Sequence, residues 1–188
     1  MVVVGQIERT DIDFINKYFY NCCMKKIVFI FALLVPVVSF ADRASNFIAE
    51  VLEYEKPTQN ADLTYKNAYG VNQEKLDMYR AAHPRYNFPK HIRDLNKKQA
   101  EQILSYFWDN YRFGDYKYDE IQEKVWDMMI HMQMSELDKK INDAVREYYN
   151  FDGNFYAPFG SVGLVGLLNG MAPKQVPDFY LILKEIEY

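Results

Sequence analysis

Two glutamates two residues apart, Glu53 and Glu55, stand just before a Lys56-Pro57 break, and Asp62 follows seven residues after the second. A carboxyl group in such a place can be a catalytic acid or an ordinary charge at a helix end. A helix turns by about 100° per residue, so Glu53 and Glu55 lie about 200° apart and cannot serve one site together. With Phe47 set at zero, Ile48, Val51 and Leu52 fall at about 100°, 40° and 140°. Glu55 then falls near 80°, inside that apolar stripe, and Glu53 near 240°, toward water. A carboxyl at the end of an apolar face is partly desolvated, which favours the protonated form that a general acid requires. The alternative is that Glu55 lies past the frayed helix end and tops it in solvent.

These residues need elements to hold them. The helix through Phe47, Ile48, Val51 and Leu52 should fail near Lys56, because the residue before Pro57 is pushed out of the helical region. A polar loop runs on to Gly70, and Val71 to Ala82 is expected to be helical. Asn96 is placed to cap a helix whose apolar residues, Ala100, Ile103, Leu104, Phe107, Trp108 and Tyr111, repeat at three and four. A second such face joins Ile121, Val125, Met128, Met129 and Met132; a third joins Leu137, Ile141, Ala144, Val145 and Tyr148. The stretch from Asn150 to Gly170 is dense in glycine and aromatics, and a last helix is expected from Val176 to Ile186. There is no period-2 strand pattern and no repeat. The expectation is a mainly α fold, with one globular domain over 42–150 and a segment over 151–188 packed on it.

The N-terminus reads as a leader. Met24-Lys25-Lys26 is a short positive region, Ile27 to Val38 an apolar one, and Ser39-Phe40-Ala41 a small-x-small end, which together predict a secretory signal peptide over 24–41. The apolar run is shorter than the roughly 20 residues of a membrane-spanning helix, so membrane contact is expected only through an uncleaved signal segment. Residues 1–23, with Glu8, Asp11 and Asp13, read as an over-extended start or a leader. Cys22 and Cys23 are the only cysteines, leaving none from Asp42 onward, which fits an exported, periplasmic or secreted protein held together without disulfides. From Asp42 the chain carries 18 basic and 23 acidic residues and no basic cluster, which argues against a nucleic-acid partner.

The spacing of Glu55, Asp62 and Tyr69-Gly70 resembles the lysozyme-like muramidases of glycoside hydrolase family 108, found among phage endolysins and bacterial secretion-associated cell-wall enzymes. Their pattern is E-G-G followed by D-x-G-G-x-T-x-Y-G. The likeness continues through "LDMYRAAHP", "IRDLNKKQAEQILSYFWDNYRFGD" and "VWDMMIH", covering Phe47 to Asn150. Lys56-Pro57 replaces the first glycine pair, Thr64-Tyr65 the second, Asn67 the threonine, and His131-Met132-Gln133 an Asn-x-Gly. Glycine tolerates backbone shapes and close approaches that these residues do not, so the cleft loop must differ in form.

The resemblance implies a peptidoglycan hydrolase without a cofactor, acting on the β-1,4 bond between N-acetylmuramic acid and N-acetylglucosamine, with Glu55 as the acid. It implies Asp62 as the second group, although an aspartate in a polar loop also bonds its own backbone. Asn67 would position water or substrate, and Tyr65, Tyr69, Tyr106 and Tyr111 would line a saccharide groove through their ring faces and hydroxyls. Phe107 and Trp108 read as core by their helical spacing, and Trp126-Asp127 as a packing and capping feature. His83, His91 and His131 are scattered and show no H-E-x-x-H pattern, which argues against a zinc hydrolase, and "FGSVGLVGLLNG" lacks a P-loop lysine. The alternative function is an inactive lysozyme-like protein that binds cell-wall glycan or an envelope protein partner.

Overall fold

The computed structural model describes residues 43–59 and 65–187, of which 44–187 belong to one unit. The leader and signal-peptide expectations, and Asp62, lie outside the described residues. The fold is mainly helical. Helix α1 occupies residues 43–54 and buries Ile48, Val51 and Leu52 while Glu53 stays exposed. Its last helical hydrogen bond runs from the Glu55 N–H to the Val51 carbonyl, 2.8 Å, two residues before Pro57.

Two very short strands follow, β1 (Thr58–Gln59) and β2 (Tyr65–Asn67), antiparallel with a bulge between Thr58 and Gln59. Segments of two and three residues cannot display a period of two, which is why no strand is legible in the sequence. Ala68 and Val71 then close a two-residue turn with N–H to carbonyl bonds of 2.8 and 3.1 Å. Both central residues, Tyr69 and Gly70, have positive φ, 56° and 77°, the backbone of a type I′ turn. Val71 is thus part of the turn, and the helix expected from Val71 starts at Gln73.

Helix α2 (Gln73–Ala82) is capped by the Asn72 side chain, which accepts from the Lys75 N–H at 3.0 Å. Helix α3 (Lys97–Asn110) is capped by Asn96 as expected, and the structure adds the return bond of a capping box: the Asn96 side chain accepts from the Gln99 N–H and the Gln99 side chain accepts from the Asn96 N–H. Helices α4 (Asp119–His131) and α5 (Met134–Tyr149) form a tight corner, and α6 (Val162–Asn169) and α7 (Val176–Glu187) complete the chain. Ile103, Leu104 and Phe107 of α3, Val125, Met128 and Met129 of α4, and Leu137, Ile141 and Val145 of α5 are fully buried together with Leu76, Phe179 and Leu183. Trp108 and Trp126 meet edge to face in this core, and Phe113 packs on both. Among the described residues no helix is long and apolar enough to cross a membrane.

The glycine-rich tail is tied down by side chains of α5. Asn142, buried, accepts from the Ala157 N–H at 2.8 Å and donates to the Ala157 carbonyl at 3.0 Å. Asp138 accepts from the Phe159 N–H and from the Tyr156 hydroxyl, and Arg146 donates to the Phe155 carbonyl. Asn142→Leu leaves both part-buried Ala157 backbone groups without that partner, and losing a hydrogen bond of this kind costs about 0.5–1.5 kcal/mol. The expected outcome is a loss of about 2 kcal/mol and faster amide exchange at Ala157, measured by hydrogen exchange with mass spectrometry.

Candidate functional site

Three elements converge at Glu55. It is the first residue past α1, its side chain only 25% exposed. Its Oε2 accepts a hydrogen bond from Asn67 Nδ2 of β2 at 3.3 Å. Its Oε1 lies 3.9 Å from Nε2 of His131, the last residue of α4. The same Nε2 is 3.2 Å from Asp127 Oδ1, one turn earlier on the same face of α4, and Asp127 Oδ2 is 3.4 Å from Lys124 Nζ. The hydrogen bond from His131 holds the Asp127 carboxyl below the ordinary carboxylate range, against the opposing effect of burial, and Lys124 adds to it.

The Tyr69-Gly70 turn sets this arrangement. A Cβ at Gly70 would stand 2.5 Å from Val51 Cγ1 and 3.4 Å from Ile130 Cγ2, so the turn backbone lies directly against α1 and α4. Val51 is one helical turn before Glu55, and Ile130 immediately precedes His131. The buried Asn67 Oδ1, on the other arm of the amide that holds Glu55, has no hydrogen-bond partner among the described residues.

The sequence-predicted residues separate into groups. Glu55 and Asn67 are brought together; Tyr65 opens β2, and half-buried Tyr69 sits in the turn that orients the hairpin. Tyr106 joins a ring cluster with Tyr79 and His83, at centroid distances of 5.3 and 5.1 Å. Tyr111 stacks on Phe107 and Phe159 and touches the Gly160 backbone, and burial pushes its phenol upward, with Tyr106, Glu74 and Asp138 adding to the effect. Phe107 and Trp108 are core residues, as their spacing predicts, and Trp126 is buried among rings. Asp127 does not cap a helix; it pairs with His131 beside Glu55. His131 and Asp127 are the residues that sequence reasoning passes over here. Their i,i+4 spacing marks a shared face of α4, but not the element that face meets. A cleft of about 630 Å³ opens between α1 and α3, lined by Ile48, Leu52, Glu53, Lys97 and Glu101, on the side of α1 that carries Glu53.

No protein-family model, curated protein or solved structure matches this chain.

Proposed function

We propose that this chain is an exported peptidoglycan hydrolase with a lysozyme-like helical domain, akin to the muramidases of glycoside hydrolase family 108. Glu55 is its general acid, protonating the glycosidic oxygen of the β-1,4 bond between N-acetylmuramic acid and N-acetylglucosamine as an oxocarbenium-like state develops. The observation that carries this reading is the placement of Glu55. It ends an apolar helix, is three-quarters covered, and is held by Asn67 on Oε2 at the meeting point of α1, the hairpin and α4. A fixed carboxyl with a solvent-reaching edge meets the geometric demand on a general acid. The glycan strands of the cell wall are the substrate.

A second reading is favoured by a specific feature of the same geometry. Both Glu55 oxygens face partners, Asn67 on Oε2 and His131 on Oε1, so the glutamate also serves as a tie between three elements. In a protein that binds glycan or a partner without cleaving it, that tie would be the whole role of Glu55.

Reducing-end release from purified peptidoglycan separates the two. The wild-type protein is expected to release reducing ends, and Glu55→Gln, which keeps size and hydrogen bonding but supplies no proton, is expected to lose about 100-fold or more of that rate. Glycan binding without release, equal in both proteins, would instead establish the non-catalytic reading.

A further inference from the structure

A glycosidase built on Glu55 needs a second group, and the described residues bring one to it that the sequence does not advertise. Asp127 Oδ1 and Glu55 Oε1 lie 3.2 and 3.9 Å from one imidazole nitrogen of His131, so the two oxygens are no more than about 7 Å apart. Retaining glycosidases hold their carboxyl groups about 5–5.5 Å apart, whereas inverting ones keep about 6.5–9.5 Å between them to admit a water. The ceiling on this oxygen pair admits the retaining spacing. The environments of the two groups also differ in the required sense. Asp127 has a partner beside each oxygen, the His131 ring at Oδ1 and the Lys124 ammonium at Oδ2, and its side chain is half exposed to an incoming ligand. Glu55 is more covered, accepts a neutral amide on Oε2, and lies farther from the shared His131 nitrogen, 3.9 against 3.2 Å.

We propose that Asp127 is the catalytic nucleophile of this site, with His131 and Lys124 as positioning residues that aim its carboxylate toward the sugar. The proposal rests on the glycosidase reading of Glu55. In the first step an Asp127 oxygen bonds to the anomeric carbon while the bond from that carbon to the glycosidic oxygen breaks, and the departing oxygen takes the Glu55 proton. In the second, water bonds to the anomeric carbon and gives its proton to the Glu55 carboxylate as the bond to Asp127 breaks. The sugar leaves with its configuration retained, and both carboxyl groups return to their starting forms. The His131 position, where the resembled family carries asparagine, puts an imidazole nitrogen between the two carboxyl groups.

The test uses the full chain and purified peptidoglycan, with thermal unfolding as the check on folding. Asp127 is half exposed on the surface of α4, so Asp127→Asn and Asp127→Ala are expected to melt near the wild type. Asp127→Asn is expected to lose at least about 100-fold of the rate. Asp127→Ala is expected to recover turnover in sodium azide and to form a glycosyl azide of inverted configuration, which a purely structural role cannot produce. Wild-type activity that disappears in Glu55→Gln but persists in Asp127→Asn would overturn the nucleophile and leave the glycosidase reading standing. Azide rescue in Asp62→Ala and not in Asp127→Ala would overturn it as well. Absence of reducing-end release from the wild type would withdraw both.

Discussion

Gly70→Ala is expected to destabilise the protein by about 2–5 kcal/mol, and about 1–3 kcal/mol of that cost should vanish when space is made on α1. Two separate penalties combine at this position. The backbone is left-handed, φ 77°, where an L side chain costs about 1–2 kcal/mol. The new Cβ would also stand 2.5 Å from Val51 Cγ1, inside van der Waals contact, with Ile130 Cγ2 at 3.4 Å behind it, and overpacking of this kind costs about 1–3 kcal/mol. The steric part belongs to a single methyl group, so Val51→Ala removes it. In a double-mutant cycle by urea denaturation, Gly70→Ala combined with Val51→Ala should be less destabilised than the sum of the two single changes by about 1–3 kcal/mol. Additive effects would show that the turn does not press on α1 in solution. Under the proposed glycosidase reading, the single change should also lower reducing-end release beyond its effect on folding, because Val51 and Ile130 lead directly into Glu55 and His131. A shift of about 1 Å between the two helices is enough to break a catalytic alignment.

That turn shows where sequence reasoning reaches and where it stops. Tyr69-Gly70 stands out in the sequence, and Pro57 announces the end of α1, because turn chemistry and proline sterics are local. The long helices are legible for the same reason: each carries an apolar stripe of period 3.6, and Asn96 marks a start through its own side chain. Glu55 could be placed on the covered side of α1 from four residues of that stripe. What the stripe does not encode is the partner. Asp127 and His131 share a face of α4, yet only the folded chain brings that face to the end of α1, through the Gly70 turn pressed between Val51 and Ile130. Tyr106 and Tyr111 illustrate the same limit. Their aromatic character suits a sugar, and what their spacing does not encode is the ring clusters they join on α2, α3 and the tail, where both remain partly exposed.

Lys75→Met is expected to alter the pH dependence of stability by about 3 kcal/mol. Lys75 is fully buried at the start of α2, and its Nζ donates to the Met132 carbonyl at 2.8 Å, an acceptor that Asn72 Nδ2 also reaches at 3.3 Å. Neighbouring Glu74 accepts from the Met134 N–H at 2.7 Å, so the first turn of α2 staples the corner between α4 and α5. Burial lowers the Lys75 pKa to about 8, opposed by Glu74. In the unfolded chain the group titrates near 10.5, so between pH 8 and 10.5 the unfolded state binds the extra proton and stability rises with pH. Below pH 8 both states carry the charge and the cost of burying it is complete. The gap between 10.5 and about 8 corresponds to about 3 kcal/mol. At pH 7 the methionine variant, free of that cost but lacking the Nζ hydrogen bond, is expected to be more stable than wild type by about 1–2 kcal/mol. By pH 10.5 the wild type should have drawn level or passed it. The tyrosines act in the opposite direction: burial raises Tyr79, Tyr111, Tyr116 and Tyr149, so above about pH 10 the unfolded chain sheds phenol protons first and stability falls. Both proteins share that fall, and it cancels in their difference. Urea denaturation at pH 7, 8.5 and 10 measures the difference directly. Stability curves that run parallel across that range would mean that Lys75 keeps its ordinary ionisation in the folded protein, and so is not enclosed at the α4–α5 corner.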